Sequence, residues 1–589
     1  MKSFAVPAIM LLSLLVACGN GDNPSVDVVG DLPVGVDTIF DTNPGDTGSD
    51  SVMDEGSGDA IDDAVDDAAD NGPSDAQTDV PPEIWYPPVT PPLPFGAENR
   101  GYVHMNGIVH LHSRWSHDGC FPDHEEISSP EIEACSTTYV EEADINACRD
   151  AIIESMLVAC VDEYRLAACA AGMEFLFQTD HPGDVRDQTF ENALHYRPDS
   201  GDQMVLDAQD RQVANRMKCP AESPVDHVFV YFGTEGSKQM PIGMAAPIPD
   251  IVFNTSFEDS TPLEQAQAAL AAVHAQGGWG LVCHPEQKDL SVQRIVELPL
   301  DLIEIFNFHP ALMGILEDFE ILFQLDRFMA SDEDAPNPDL AMMLVLKPVV
   351  NDPLKFDESV KSIRLGHILA TDIHRNVELP ALCESAETCG DNWIETYPNL
   401  ARLLAKGGPA ILGDGDRFDS YRRSLRWASN HALVSSTGTD YLAIRDAVGL
   451  GRSYSAFDIM GIPQGFDFFA VVDGAALEMG QEATGYTDAK IYFRTPSITK
   501  PLWATERFSD PADTEIVTKL IKIDADGGSR VVREVIGQGW TFEHVVDGPA
   551  VYRIEVWMTP KHLATDLGDM AWVADKQYPW IYSNALFFR

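Results

Sequence analysis

The chain is 589 residues long and carries 94 acidic side chains against 39 Lys plus Arg, a formal net charge of −55. At 44% hydrophobic and 9% aromatic it can bury a large core, so wholesale disorder is excluded, and the length predicts about two to four domains. A surface this negative repels phosphate backbones and anionic lipid, which argues against nucleic-acid coating and purely electrostatic membrane adhesion.

The N-terminus reads as a secretory leader over residues 1–17. Met1-Lys2 is positive, and the apolar run Phe4 to Val16 is too short for a bilayer, which needs ~20 residues. Leu15-Val16-Ala17-Cys18 resembles the lipobox of bacterial lipoproteins. That resemblance implies cleavage before Cys18, acylation of it, and contact with the cell envelope only through its lipid. Gly19 after the cysteine is similar to the signal for the outer membrane. Residues 18–97 then form an acidic tether: positions 19–90 hold 18 Asp plus Glu and no Lys or Arg, which leaves −38 on residues 91–589.

Nine cysteines follow Cys18. Five of them, Cys120 to Cys169, predict a disulfide-stapled insertion over about residues 120–170 of an exported protein, since no metal-type Cys-x-x-Cys pair occurs there. Cys383 and Cys389 would close a small loop. Cys283, inside an apolar run, reads as the unpaired buried thiol.

From residue 100 one pattern recurs: an apolar run of strand length, then His, Asp or Glu. The runs end at His110-Leu-His112, Asp180-His181, Glu235, His284-Pro285, Glu304 to Asn307, and Asp372-Ile-His374. Helical segments separate several of them. The clearest has Thr261 as N-cap, Pro262 at the first helical position and a Gly277-Gly278 stop. Alternating strands and helices predict a parallel sheet in an α/β barrel-like fold, with its site at the strand C-termini. His110 and His112 alternate along a strand and leave on one face, as do Asp372 and His374. Imidazoles with carboxylates suit Zn, Mn or Fe better than Ca or Mg, and so many donors predict two or three divalent ions. Such a cluster activates a water nucleophile and clamps the oxygens of a phosphoryl group.

These residues resemble the PHP (polymerase and histidinol phosphatase) family of metal-dependent phosphoesterases. The first motif is similar to His110-Leu-His112-Ser-Arg-Trp-Ser116-His117-Asp118-Gly119, and the others to Thr179-Asp180-His181, Gly233-Thr-Glu235, His284-Pro285 and Thr371-Asp372-Ile-His374. The resemblance spans roughly residues 100–375. It implies a distorted (β/α)7 TIM-like barrel whose ligands are His110, His112, Asp118, His181, Glu235, His284, Asp372 and His374, with Glu235 bridging two ions. Either His117 or Asp118 could be the ligand after Ser116, and Asp118 is preferred. Asp180 is assigned as a carboxylate orienting an imidazole. The sequence departs from the family after Glu235, where Gly236-Ser-Lys-Gln-Met240-Pro lacks the usual histidine and puts the third ion in question. Arg114, Arg186 and Arg375 adjoin the motifs, and Arg375 is the candidate contact for a substrate phosphate. His309-Pro310 repeats the His-Pro pair without a ligand-bearing strand end and is left out.

Residues 98–458 are thus read as the barrel with its Cys-rich insertion. From about residue 459 short alternating runs replace helical periodicity, and predict a C-terminal β-sandwich over residues 459–589. The function expected is that of an exported, lipid-anchored, metal-dependent hydrolase acting on a small-molecule or envelope phosphoester. Hydrolysis of an amide or lactone by the same cluster, or a catalytically impaired metal-binding or adhesion module, are the alternatives.

Overall fold

The computed structural model describes residues 89–589 apart from 117, 121–129, 139–141, 286–289, 317–318, 347–352, 380, 384, 386–392, 438–440, 502–503 and 505–506. The leader, Cys18, most of the acidic stretch, His117 and Cys389 lie outside the described residues.

Eight strands organise the first part of the chain: β1 (Tyr102–Leu111), β2 (Phe175–Gln178), β3 (Gln203–Leu206), β4 (Gln212–Lys218), β5 (His227–Phe232), β6 (Leu281–Val282), β7 (Leu302–Asn307) and β8 (Gly366–Ile373). Six of them lie side by side in the order β6, β7, β8, β1, β2, β5, every neighbouring pair parallel. β4 and β3 continue antiparallel from β5. Every residue of β2, β7 and β8 is buried, which is why these strands are near-continuous apolar runs and not alternating ones. Beyond β5 and before β6, Ile242 bridges to both Gly233 and Trp279, so a short antiparallel segment joins the outer strands of the six.

Parallel neighbours need long connections. Helices Glu142–Ala170 and Phe308–Leu316 lie in the connections from β1 to β2 and from β7 to β8, while Leu263–Ala275 leads from β5 to β6. In Leu263–Ala275 the buried residues Ala266, Ala269, Leu270 and Val273 fall at helical spacing on one face. Its start is one residue later than the sequence predicts. Pro262 has an extended ψ of 131°, so it holds the N-cap place expected of Thr261, and no side chain caps the helix. Gly277, at φ 72°, ends it, and the Gly278 N–H donates to the Val273 carbonyl.

The C-terminal part is β-rich. Strand Ser429–Ser435 pairs antiparallel with the first half of β1. Ser453–Ala456, Tyr578–Ser583 and Ala550–Thr559 follow beside it, so one hydrogen-bonded sheet runs across residues 458 and 459. A separate antiparallel sheet comprises Asp467–Val472, Ala475–Glu478, Ala489–Arg494 and Thr541–Val545. The architecture is therefore mixed α/β, with one large mixed sheet and several small ones.

Two asparagine side chains fasten these strands to β8. Asn430 Oδ1 accepts from the Leu369 N–H at 3.0 Å while its Nδ2 donates to the Leu369 carbonyl at 2.9 Å. Asn584 does the same for His367, at 2.6 and 2.9 Å. Each amide replaces a missing strand neighbour for a buried peptide group. Disulfides join Cys120 to Cys160, Cys135 to Cys148 and Cys169 to Cys219. The last leaves the predicted insertion, because Cys169 at the end of the long helix comes beside the end of β4. Cys383 is also disulfide-bonded, and Cys283 is free and buried. Three disulfides fit an exported protein, and among the described residues no helix is long and apolar enough to cross a membrane.

Replacing Asn584 with Leu should orphan the buried N–H and carbonyl of His367 and destabilise the fold by roughly 3 kcal/mol, read from the urea midpoint. An unchanged midpoint would contradict the bracketing role. Burial also pushes the His367 imidazole down to about 3. Its unfolded form binds a proton near pH 6.5 and the folded form does not, so stability should fall as pH drops from about 6.5 towards 3. His367→Gln should flatten that slope, measured by chemical denaturation across the range.

Candidate metal centre

The C-terminal ends of the six parallel strands converge on one buried cluster. His110 and His112 leave the end of β1, His181 follows β2, Glu235 follows β5, His284 follows β6, and Asp372 and His374 end β8. Local backbone geometry aims them. His110, His284 and Asp372 take left-handed φ values of 71°, 48° and 49°. For residues other than glycine such conformations cost of order 1–3 kcal/mol each and persist only where the surroundings enforce them. Between Val109 and Leu111 the register of β1 shifts against both β2 and β8. The plain alternation expected at His110 and His112 is thus interrupted by an irregularity in the strand, yet their Nε2 atoms still come within 3.2 Å.

Four imidazoles have one ring nitrogen tied outward. His110 Nδ1 donates to Glu304 Oε1 at 2.5 Å, and His374 Nδ1 to the Asp372 carbonyl at 3.1 Å. His181 Nδ1 donates to the Glu235 carbonyl at 3.2 Å. His112 Nδ1 donates to Ser116 Oγ at 2.7 Å, whose own proton goes to Asp180 Oδ1 at 3.1 Å. With Nδ1 tied outward, each ring turns its Nε2 towards the cluster, the orientation that metal coordination requires.

Carboxylates meet those lone pairs. Glu235 Oε2 lies 3.2 Å from His110 Nε2 and 3.1 Å from His112 Nε2, and Asp372 Oδ1 lies 3.1 and 3.3 Å from the same atoms. Donor atoms of these four residues all fall within 4.8 Å of one another. Glu235 Oε2, Asp372 Oδ1 and His374 Nε2 are buried and make no hydrogen bond. Burial alone would raise both acids, but the imidazoles around them hold Glu235 and Asp372 well below the usual carboxylate range. Ionised oxygens buried without donors are costly, and a cation placed among them removes that cost. The residues therefore fit a metal ion. His112, His181, Glu235 and His374 form a second group within the same limit. Asp118 stands beside it, 3.5 Å from both His181 Nε2 and His374 Nε2. Burial would lower the His181 imidazole, but Glu235 and Asp118 raise it to about 9. On the far side, Glu235 Oε1 is 2.7 Å from His284 Nε2, and the Cys283 thiol joins that group.

The structure brings all eight expected ligands together. Asp180 lies behind them: it accepts from Ser113 N, Ser113 Oγ and Ser116 Oγ, and so orients His112 through Ser116. Arg375, next to His374, pairs with Glu163 of the helix Glu142–Ala170, its Nε 3.2 Å from that carboxylate. Arg114 and Arg186 are likewise paired, with Glu154 and Asp250.

Sequence reasoning missed His309. The end of β7 runs directly into Phe308–Leu316, so this His-Pro pair does follow a strand end, and His309 joins Asp372 and His374 in a further group of donors. Together with Asp419, Ser424 and Trp427 these residues line a small cavity. Glu304 also proves central, since its Oε2 accepts from the His284 N–H at 2.9 Å while Oε1 fixes His110. Its place at position three of β7 was the available signal. No family model matches the chain, and no curated protein or solved structure is detectably similar to it.

Glu304→Gln should weaken divalent-metal affinity about 10–100-fold, measured by chelator competition, because the His110 ring loses its carboxylate partner. Unaltered affinity would refute that role.

Proposed function

We propose that the protein is an exported, metal-dependent phosphoesterase of PHP type, tethered through a lipid on Cys18. The observation that carries this reading is the ordered delivery of His110/His112, His181, Glu235, His284 and Asp372/His374 from successive parallel strands to one buried cluster. The Ile242 bridges between the outer strands support a closed, TIM-like barrel.

His110, His112, Glu235 and Asp372 would hold one divalent ion of the Zn, Mn or Fe type. Asp118, His181 and His374 would hold a second, and the two oxygens of Glu235 face different neighbours, as a bridging carboxylate requires. Bound ions of this kind lower the pKa of a water nucleophile and stabilise charge on phosphoryl and leaving-group oxygens. The chain itself supplies placement. Glu304 and Ser116 lock ring orientations, Asp180 fixes the turn that carries Ser116, and the walls at His309, Asp419 and Ser424 orient the ester beside the cluster. A third ion would have Glu235, Cys283 and His284 in place of a set containing the missing histidine; Met240 and Ile242 occupy the following segment and pair with the residues around β6.

Purified protein loaded with Zn, Mn or Fe should hold at least two ions per chain and hydrolyse phosphate mono- or diesters. The pair His110→Ala with Asp372→Ala should abolish both metal and turnover. Fewer than two ions together with no metal-dependent hydrolysis would sink the proposal, and activity retained by the double variant would place the chemistry elsewhere.

A further inference from the structure

Asp118 stands apart from the other expected ligands. It leaves a loop and not a strand end, and its side chain is 33% exposed where that of His374 is 5% exposed. Two tight turns form the loop: the Ser116 N–H donates to the Ser113 carbonyl at 3.1 Å, and the Gly119 N–H to the Ser116 carbonyl at 3.0 Å. A Cβ on Gly119 would come within 2.2 Å of the Ser113 carbonyl oxygen, so the turn closes only around glycine. Cys120 then takes a left-handed φ of 55°, which a residue other than glycine keeps only where its surroundings enforce it.

Three contacts enforce it. The Cys120 N–H donates to the His374 carbonyl at 3.0 Å, its sulfur is bonded to Cys160, and that sulfur lies 3.5 Å from the Tyr421 hydroxyl. Cys160 belongs to the long helix Glu142–Ala170, and both half-cystines are buried. Three residues further along that helix, Glu163 reaches two more segments. Its Oε1 accepts from the Tyr421 N–H at 2.9 Å, and its Oε2 pairs with Arg375, next to His374. Tyr421 in turn donates its hydroxyl proton to the His112 carbonyl at 2.7 Å. One helix therefore grips the backbone beside Asp118, His374 and His112, on the side of the cluster that the second ion would occupy. On the first ion's side, His110 and Asp372 are fixed instead by Glu304 and Asn307.

We infer that the Cys120–Cys160 disulfide is a positioning element for the second metal ion. It closes the turn onto the helix, sets Asp118 at His181 and His374, and leaves the first ion's shell complete without it. The inference rests on the two-ion reading of the cluster. It makes the second site dependent on oxidation: the two thiols pass two protons and two electrons to an external disulfide oxidant, which becomes two thiols, and only then is the Asp118 turn held. A chain still reduced before export would bind the first ion alone.

The test is Zn binding by the full chain in chelator competition, which reads the two affinities separately. In Cys120→Ser with Cys160→Ser, one affinity should fall about 10–100-fold, the range for lost contacts that orient metal ligands, while the other is unchanged. Cys135→Ser with Cys148→Ser, which removes a disulfide elsewhere in the same insertion, should change neither. Glu163→Gln keeps every disulfide and should lower the same affinity about tenfold. Thermal melts verify folding, and amide exchange of the metal-free protein should quicken at residues 119 and 120 when Cys120–Cys160 is removed. Two unaltered affinities in the folded protein without this bond would overturn the inference and leave the two-ion reading standing. Equal losses at both ions, or the same loss without Cys135–Cys148, would mark general loosening and also overturn it. If removal of Cys120–Cys160 prevents folding, Glu163→Gln decides alone, and unchanged affinities there overturn the inference. Fewer than two ions in the unaltered protein would overturn the two-ion reading and the inference with it.

Discussion

Two ionised carboxylates, Glu235 and Asp372, sit buried among imidazoles with oxygen atoms that no donor satisfies. Their arrangement constrains most of what surrounds them. An unpaired buried charge is tolerated only when an opposite charge of matching geometry is held nearby, and here the nearest groups are imidazoles whose Nε2 atoms also point inward. Donors of one kind facing each other across about 3 Å make sense as a coordination shell. The left-handed φ values of His110, His284 and Asp372 follow from the same demand. Regular strands would carry these side chains along the pleat, whereas the shell needs them turned to a common point, and the rest of the sheet must be rigid enough to sustain the local strain.

That rigidity comes from β8 and β1. β8 lies between β7 and β1, yet its outer hydrogen-bonding capacity is not met by strands alone. Asn430 and Asn584 complete it, the second from only five residues before Arg589. The C-terminal strands are therefore coupled to the metal centre through backbone contacts on Leu369 and His367, three and five residues before Asp372. The β-rich region, in whose described residues no metal-competent donor cluster occurs, acts on the site by holding the strand that carries Asp372 and leads to His374.

Much of the site was legible because strand ends announce themselves: an apolar run, then a cluster of polar donors. His110, His181, Glu235, His284 and Asp372 could be found this way. The same rule failed for His309, where a phenylalanine separates the last strand residue from the histidine and a helix begins at once. Sequence periodicity could not show the irregularity at His110, since an extra residue in a strand has no compositional mark when its neighbours are all apolar. The ion pair of Arg375 with Glu163 could not be read either, because the two lie 212 residues apart (375 − 163) and nothing local indicates the pairing. The helix start at Leu263 was displaced by one residue because Pro262 tolerates both the cap and the first-turn conformation.

The net charge of −55 takes on a different meaning beside the centre. Acidity over the surface opposes the approach of an anion, but its effect on a small ester fades within roughly 8 Å at physiological ionic strength. A divalent ion bound in the cluster would be the largest local charge there and would set the sign of the field.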